Sequence, residues 1–236
     1  SDKETQIFHL DAKKLYTIAN PLSQDMVYMR PTLVPSILRA ISDNASNTKS
    51  LALFELSLVY LWQEKDLPRE MPKLMIALSG KNGFSRLKGI SEVLFDVYGI
   101  PDQACDEERS QMYVSANKTL SLGSFGYIGE VKRELLSSLG IESPVTILEL
   151  DIETLIAHKH SFKRFVPIPK YPPSFEDMAF IILPKTRIGD LISTLKSVDL
   201  LISDVTLLDS FENTRTLHVT YLSPLKNLTS EDTRPV

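Results

Sequence analysis

The sequence predicts an α+β protein of two domains, and three observations carry that expectation. Apolar residues recur at helical spacing in separate windows, as in Ile188, Leu191, Ile192, Leu195 and Val198. Between those windows stand apolar runs rich in β-forming residues, such as LALFELSLVYL and MAFIIL. The segment HKHSFKRFVPIPKYPP, dense in proline and cations and without periodicity, separates the two groups of elements. The expected domains are residues 1–161 and 162–236.

In chain order, Asn20-Pro21 marks a turn, and Leu33, Val34, Ile37, Leu38 and Ile41 then fall on one helical face, with Pro31 and Pro35 at or ahead of its opening. LALFELSLVYL reads as a long buried strand and KLMIALSG as its neighbour. Leu87, Ile90, Val93, Leu94 and Val97 make a second amphipathic helix, stopped by Gly99 and Pro101. Short strands follow through YVSAN and SLGSFGYIGEV, then a helix near Glu130 to Leu139 and the strand VTILEL. Asp151 is placed to cap the short helix DIETLIA.

Pro172 and Pro173 hold the chain extended ahead of MAFIIL, so that strand is aimed as it begins. A helix from Arg187 to Val198, a strand from Ser203 to Phe211, a turn at ENT and a strand from Thr216 to Leu222 complete a β-α-β-β unit. Thr229 with Asp232 spells a capping box, but the chain offers no helix after it. That order is most of a ferredoxin-like domain lacking its last helix.

Composition narrows the chemistry. With 43% hydrophobic residues in 236 the chain can bury a sizeable core. The net charge of −4 supplies no chain-wide basic field, and the part after Phe162 has equal numbers of acids and bases, so any RNA contact there must be local. Cys105 is the only cysteine, which excludes an internal disulfide and fits a reducing compartment. SDKETQIFHL has no signal-peptide pattern, and no run approaches the roughly 18 apolar residues of a membrane span. A cytoplasmic protein is expected, its polar opening that of a domain cut from a longer chain.

No catalytic motif stands out. His158 and His160 are two apart, so on a helix they diverge, and solvated side chains are the simpler reading. Gly123, Gly126 and Gly129 match neither phosphate-loop pattern and read as turns in a small β region. Glu55 in LFEL and Glu149 in LELD are single acids on strands, which could meet as an acid-base pair or be satisfied core carboxylates. Neither a catalytic residue nor a metal site is assigned.

NPLSQDMVYMRPTLVPSIL, LALFELSLVY, KLMIALSG, LKGISEVL, LGSFGYIGEV, VTILELDIETL and KRFVPIPKYPPSFEDMAF resemble, in this order, the C-terminal part of the bacterial-type phenylalanyl-tRNA synthetase β subunit, from about Asn20 to Leu228. The resemblance implies a class II synthetase-like antiparallel-sheet domain that has lost catalysis and packs on the catalytic α subunit of a heterotetramer. It also implies a ferredoxin-fold domain that binds the anticodon of tRNA(Phe). ATP and Mg belong to the holoenzyme, with no cofactor in this fragment, and neither membrane nor DNA is an expected partner. In agreement, LALFELSLVYL carries no arginine of the kind class II chemistry uses to hold ATP phosphates.

The resemblance also marks candidate anticodon-binding residues. Asp209 and Phe211 match the family's Asp-x-aromatic, and Arg215-Thr216 stands where the family has lysine-serine, with His218 and Tyr221 on the same strand. Glu176-Asp177 replaces an Arg-Asp pair. Strand alternation separates Thr216 and His218 from Leu217, Val219 and Tyr221, so Tyr221 is expected in the core. Asp209 has a second reading as a strand-end turn residue. A reading of a different class stays open for the whole chain: a free-standing regulatory or interaction module with a ferredoxin-like ligand-binding domain.

Overall fold

The structure, a computed structural model, describes residues 2–23, 26–48, 50–100, 106–107, 112–158, 165, 167–184 and 186–233. It divides into two compact units, residues 1–163 and 164–236. The expected boundary at 161/162 lies outside the described residues, as do Cys105 and His160.

The first unit opens with a short helix α1 (Asp2–Ile7) that the polar sequence does not announce. Its consequence is packing: Phe8 is buried and meets Tyr113 edge-on at 6.1 Å. Helix α2 (Val34–Asn44) carries Pro35 in its first turn, where no intrahelical N–H is needed, and buries Val34, Ile37, Leu38 and Ile41. Strands β1 (Ala52–Leu61) and β2 (Arg69–Ser79) pair antiparallel. Helix α3 (Gly83–Tyr98) stops at Gly99, whose φ of 67° lets its N–H and that of Ile100 close back on the Asp96 and Phe95 carbonyls.

Strands β3 (Asp106–Glu107), β4 (Val114–Ser121) and β5 (Gly126–Val131), helix α4 (Arg133–Ser138), strand β6 (Val145–Asp151) and helix α5 (Ile152–Ala157) complete the unit. The sheet order is β1-β2-β6-β5-β4-β3, with every neighbouring pair antiparallel. One face packs under α2 through Met75, Ala77, Val145 and Ile147, the other under α3 through Leu78, Ile128, Leu148 and Leu150.

The first long strand and the α3 stripe depart from the sequence reading. LALFELSLVYL forms the edge strand β1, and only one of its faces is buried: Val59 is in the core, while Phe54, Leu56 and Leu58 are 75, 61 and 36% exposed. Phe54 pairs with Ile76 and Leu56 with Leu74, so this apolar stripe shares the side of the sheet that α3 occupies, but α3 lies over β2, β5 and β6 and does not cover it. The α3 stripe is also rotated. Gly83, Leu87, Ser91 and Phe95 face inward, and Val93 and Val97 are exposed. Small residues decide this, because a Cβ on Gly83 would sit 2.6 Å from the Thr146 Oγ1.

The glycines of SLGSFGYIGEV serve more than turns. Gly123, at φ 62°, is a turn residue, but Gly126 opens β5 with its Cα against the β6 backbone. A Cβ there would lie 1.9 Å from the Glu149 carbonyl oxygen, at a φ of 150° that side chains rarely adopt. Gly126→Ala is therefore expected to cost about 3 kcal/mol or more, read as a lower urea midpoint, whereas Gly89→Ala, with open space around it, should be neutral or mildly stabilising.

The second unit comprises β7 (Ser174–Ile181), α6 (Ile188–Val198), β8 (Ile202–Phe211), β9 (Thr214–Tyr221) and a final turn of helix, α7 (Ser230–Thr233). The sheet order is β7-β9-β8, all antiparallel, and α6 covers one face through Ile188, Leu191, Ile192 and Leu195. Strand β7 begins at Ser174, directly after the proline pair and four residues earlier than MAFIIL suggests. Leu217, Val219 and Tyr221 are buried beneath α6 as alternation requires. The capping box does form: the Thr229 N–H donates to the Asp232 carboxylate at 2.9 Å, and one helical turn follows it.

Candidate nucleic-acid interface

In the first unit the charged groups of the sheet are matched to one another. Glu55 and Glu149 sit on the same rung with buried Met75 between them, two strand spacings or about 10 Å apart. Each has its own partners. The Arg30 guanidinium reaches Glu55 at 2.5 Å and also bonds Ser57, while Ser36 donates to the other Glu55 oxygen. The Lys73 ammonium lies 3.7 Å from Glu149 and 3.3 Å from Asp151, and the Tyr127 hydroxyl donates to Glu149. These are satisfied carboxylates, which do not meet as an acid-base pair.

Burial pushes the Glu149 carboxyl up despite Lys73 and Tyr127, and burial with the nearby Glu149 charge pushes the Tyr113 hydroxyl up to about 12. Asp151 goes the other way. Burial raises it, but the Thr154 N–H and hydroxyl and the Lys73 ammonium outweigh that and hold it below the usual carboxylate range. Its stabilising contribution is therefore fully present above the unfolded carboxylate pKa and fades as pH falls through the lowered native value. Asp151 also caps α5, accepting from the Thr154 N–H at 2.8 Å. Asp151→Ala should cost about 1 to 2 kcal/mol near neutral pH. The deficit should shrink in acid, which urea denaturation at several pH values would show.

In the second unit the face of the sheet opposite α6 is open, and pairing determines what it carries. Strand β9 sends Thr214, Thr216, His218 and Thr220 to it, since Leu217, Val219 and Tyr221 point to the core. On β8, simple alternation would send Asp209 and Phe211 inward with Val205 and Leu207. A bulge between Leu207 and Asp209 reverses this: Asp209 pairs with Thr216 and Phe211 with Thr214, which puts both on the open face. The Ser210 N–H donates to one Asp209 carboxylate oxygen at 2.7 Å and braces the bulge. So the turn-like bond and the outward placement of Asp209 coexist.

Four of the five sequence candidates, Asp209, Phe211, Thr216 and His218, thus share one surface, and Phe211 is 70% exposed on it. Arg215 stands apart. It alternates to the other side, and its Nη1 donates to the Glu212 and Thr214 carbonyls, both at 2.8 Å, so the guanidinium fastens the hairpin. Sequence reasoning passed over Phe175 on β7 and noted Asp177 only beside Glu176, not as a candidate. Phe175 pairs with Thr220 and Asp177 with His218, the Asp177 carboxylate lying 2.6 Å from His218 Nδ1. The signal was the alternation of Phe175, Asp177 and Ala179 against Met178 and Phe180, hidden by starting the strand at Met178.

The face presents hydroxyls, carboxylates and two aromatic positions, a surface suited to base edges and ring faces more than to phosphates. Residues 1–152 match the family model of the phenylalanyl tRNA synthetase beta chain CLM domain. The chain belongs to the phenylalanyl-tRNA synthetase beta chain family. Phenylalanine--tRNA ligase beta subunits of Clostridium tetani and Bacillus subtilis are each 28% identical to it, covering 96% and 98% of this chain and 31% and 32% of their own length. That of Fusobacterium nucleatum is 30% identical over 82% of this chain and 27% of its own. The chain thus spans about a third of the length of these relatives. Among solved structures, pyrrolysyl-tRNA synthetase from Desulfitobacterium hafniense aligns with a TM-score of 0.52 at 16% identity, over 65% of this chain and 58% of that one. At that identity the likeness concerns the fold alone: α+β with antiparallel sheets, as expected, beside a class II synthetase-like neighbour.

Proposed function

We propose that this chain is the C-terminal part of a phenylalanine-tRNA ligase beta subunit, that its first unit assembles with the catalytic alpha subunit, and that its second unit is a ferredoxin-like anticodon-binding domain for tRNA(Phe). The observation that carries the RNA part is the β8 bulge, which gathers Asp209 and Phe211 with Thr216 and His218 on one open sheet face. An open β-sheet with exposed aromatics and short polar groups suits the unstacked bases of an RNA loop, which are read by stacking and by edge hydrogen bonds. The β7-α6-β8-β9 order is that of a ferredoxin-like fold short of its last strand and second helix.

The assembly part rests on the edge of the first sheet. Phe54, Leu56 and Leu58 form an exposed apolar stripe, and Val93 and Val97 add to the apolar surface on α3. Such a surface fits a permanent partner better than solvent. ATP and Mg are assigned to the alpha subunit, because cations at this sheet are engaged by acids of the same unit: Arg30 by Glu55, Lys73 by Glu149 and Asp151, Arg69 by Glu153 and Lys118 by Glu130. The proposed compartment is the cytoplasm, and among the described residues no helix is long and apolar enough to cross a membrane. Phe54→Asp with Leu56→Asp should leave the fold intact and abolish co-elution with a phenylalanine-tRNA ligase alpha subunit in size-exclusion chromatography. Undiminished co-elution of the variant, or none with the wild type, would contradict this interface.

A further inference from the structure

The open face of the second sheet holds a second aromatic group at a distance from Phe211. Phe175 and His218 stack at 5.1 Å between ring centroids with planes 22° apart, and Phe175 remains 59% exposed. The Asp177 carboxylate lies 2.6 Å from His218 Nδ1, as a hydrogen-bond acceptor, and so fixes the imidazole against the phenyl ring. The other ring nitrogen, Nε2, is left for a hydrogen-bonding partner, and among the described residues no hydrogen bond uses it.

Register places this pair with respect to the other candidates. Thr216 lies between Ala179 and Asp209, and His218 between Asp177 and Thr206. His218 is thus two residues along β9 from the Asp209 level, about 7 Å, whereas Phe175, level with Thr220, is about 20 Å along the strand direction from the level of Phe211 and two strands across from it. One base cannot span both aromatic positions, while consecutive nucleotides of a single strand can. Phosphates are poorly matched to this stretch: among the described residues of its strands Asp177 and Asp204 are the charged side chains beside it, and the Lys196 ammonium is engaged by Asp204 at 2.8 Å. Rings and base edges are well matched.

We propose that Phe175 and His218, with Asp177 as the positioning residue, form a second stacking station for a nucleobase of single-stranded RNA, distinct from the Asp209–Phe211 position. The inference rests on the RNA reading of this face and adds to it a site that engages a different nucleotide. Stacking tolerates any base, so the station contributes affinity and strand path more than base choice.

The test uses the 236-residue chain and tRNA(Phe) anticodon stem-loops with 2-aminopurine at one loop position at a time. Wild-type protein should change the fluorescence at two or more positions. Phe175→Ala and His218→Ala should each abolish the change at one of them and weaken binding about 5- to 150-fold, the equivalent of one lost base stack. Phe211→Ala should abolish the change at a different position. A loop made abasic at the Phe175-dependent position should bind wild type and Phe175→Ala equally, which a merely structural role would not produce. Phe175→Tyr should restore the signal, and Asp177→Asn, whose amide oxygen can still accept from Nδ1, should retain more of it than Asp177→Ala. The inference is overturned if wild type binds the loop but Phe175→Ala and His218→Ala leave affinity within about two-fold and every signal unchanged. Failure of the wild type to bind any loop would overturn the RNA reading of the whole face.

Discussion

Leu148→Ala is expected to destabilise the first unit by about 2 to 5 kcal/mol, the range for emptying a fully enclosed leucine site. Leu148 is 0% exposed at the middle of the six-stranded sheet, flanked by Ile76 on β2 and Ile128 on β5, in the cluster that α3 closes with Leu87 and Phe95. Strands hold it on both sides and a helix lies above, so little can collapse into the space. Against a total stability of about 5 to 15 kcal/mol, the loss is a large share. Leu56→Ala makes the control. That leucine is 61% exposed on the edge strand, and its removal should change stability by about 0.5 kcal/mol or less. Trp62, the single tryptophan, lies in the first unit and reports its urea unfolding by fluorescence.

Periodicity and punctuation made most of the fold legible. The α2 stripe, the Gly99 stop, the Asp151 cap and the burial of Tyr221 all follow from local chemistry that does not depend on distant partners. What the sequence could not disclose depends on neighbours. The run LALFELSLVYL has the composition of a buried strand, yet only the sheet order reveals that β1 is an edge and that α3 leaves half of it bare. The α3 stripe rotated because Gly83 allows close packing against Thr146 of β6 and Ser91 is buried with it, a fit that hydrophobic spacing cannot encode.

The candidate interface divides in the same way. His218 and Thr216 were separable from Leu217 and Val219 by alternation alone, but Asp209 and Phe211 reach their side only through a bulge that exists in the pairing of β8 with β9. Arg215 reads as an anticodon-binding cation in sequence and is engaged by the carbonyls of its own hairpin. Phe175 went unnoticed, and Asp177 was not made a candidate, because the strand begins at Ser174, directly after the proline pair, and not at Met178.

Phe211→Ala and Asp209→Ala are expected to weaken binding of the tRNA(Phe) anticodon stem-loop, Phe211→Ala by about 1 to 3 kcal/mol for a lost stacking platform. Phe211 stands at the hairpin end of the open face beside Thr214, 70% exposed, with little apolar contact for its removal to disturb. Its loss should therefore appear in RNA binding and leave the unfolding midpoint of the second unit almost unchanged. Asp209 makes one bond to the Ser210 N–H and leaves a carboxylate oxygen for donors on a base edge, so its replacement should narrow the preference between bases. Arg215→Ala should instead lower the stability of the hairpin, because two carbonyls lose their donor.

The central claim is that the open face formed by β7, β9 and β8 reads the bases of an RNA loop. Its most direct test is an equilibrium titration of the chain, at one fixed salt concentration, with the tRNA(Phe) anticodon stem-loop and with the same stem-loop carrying a changed anticodon. The account predicts tighter binding of the cognate loop and a loss of that preference in Asp209→Ala and Phe211→Ala. Equal affinity for the two loops, unchanged by either substitution in folded protein, would contradict it.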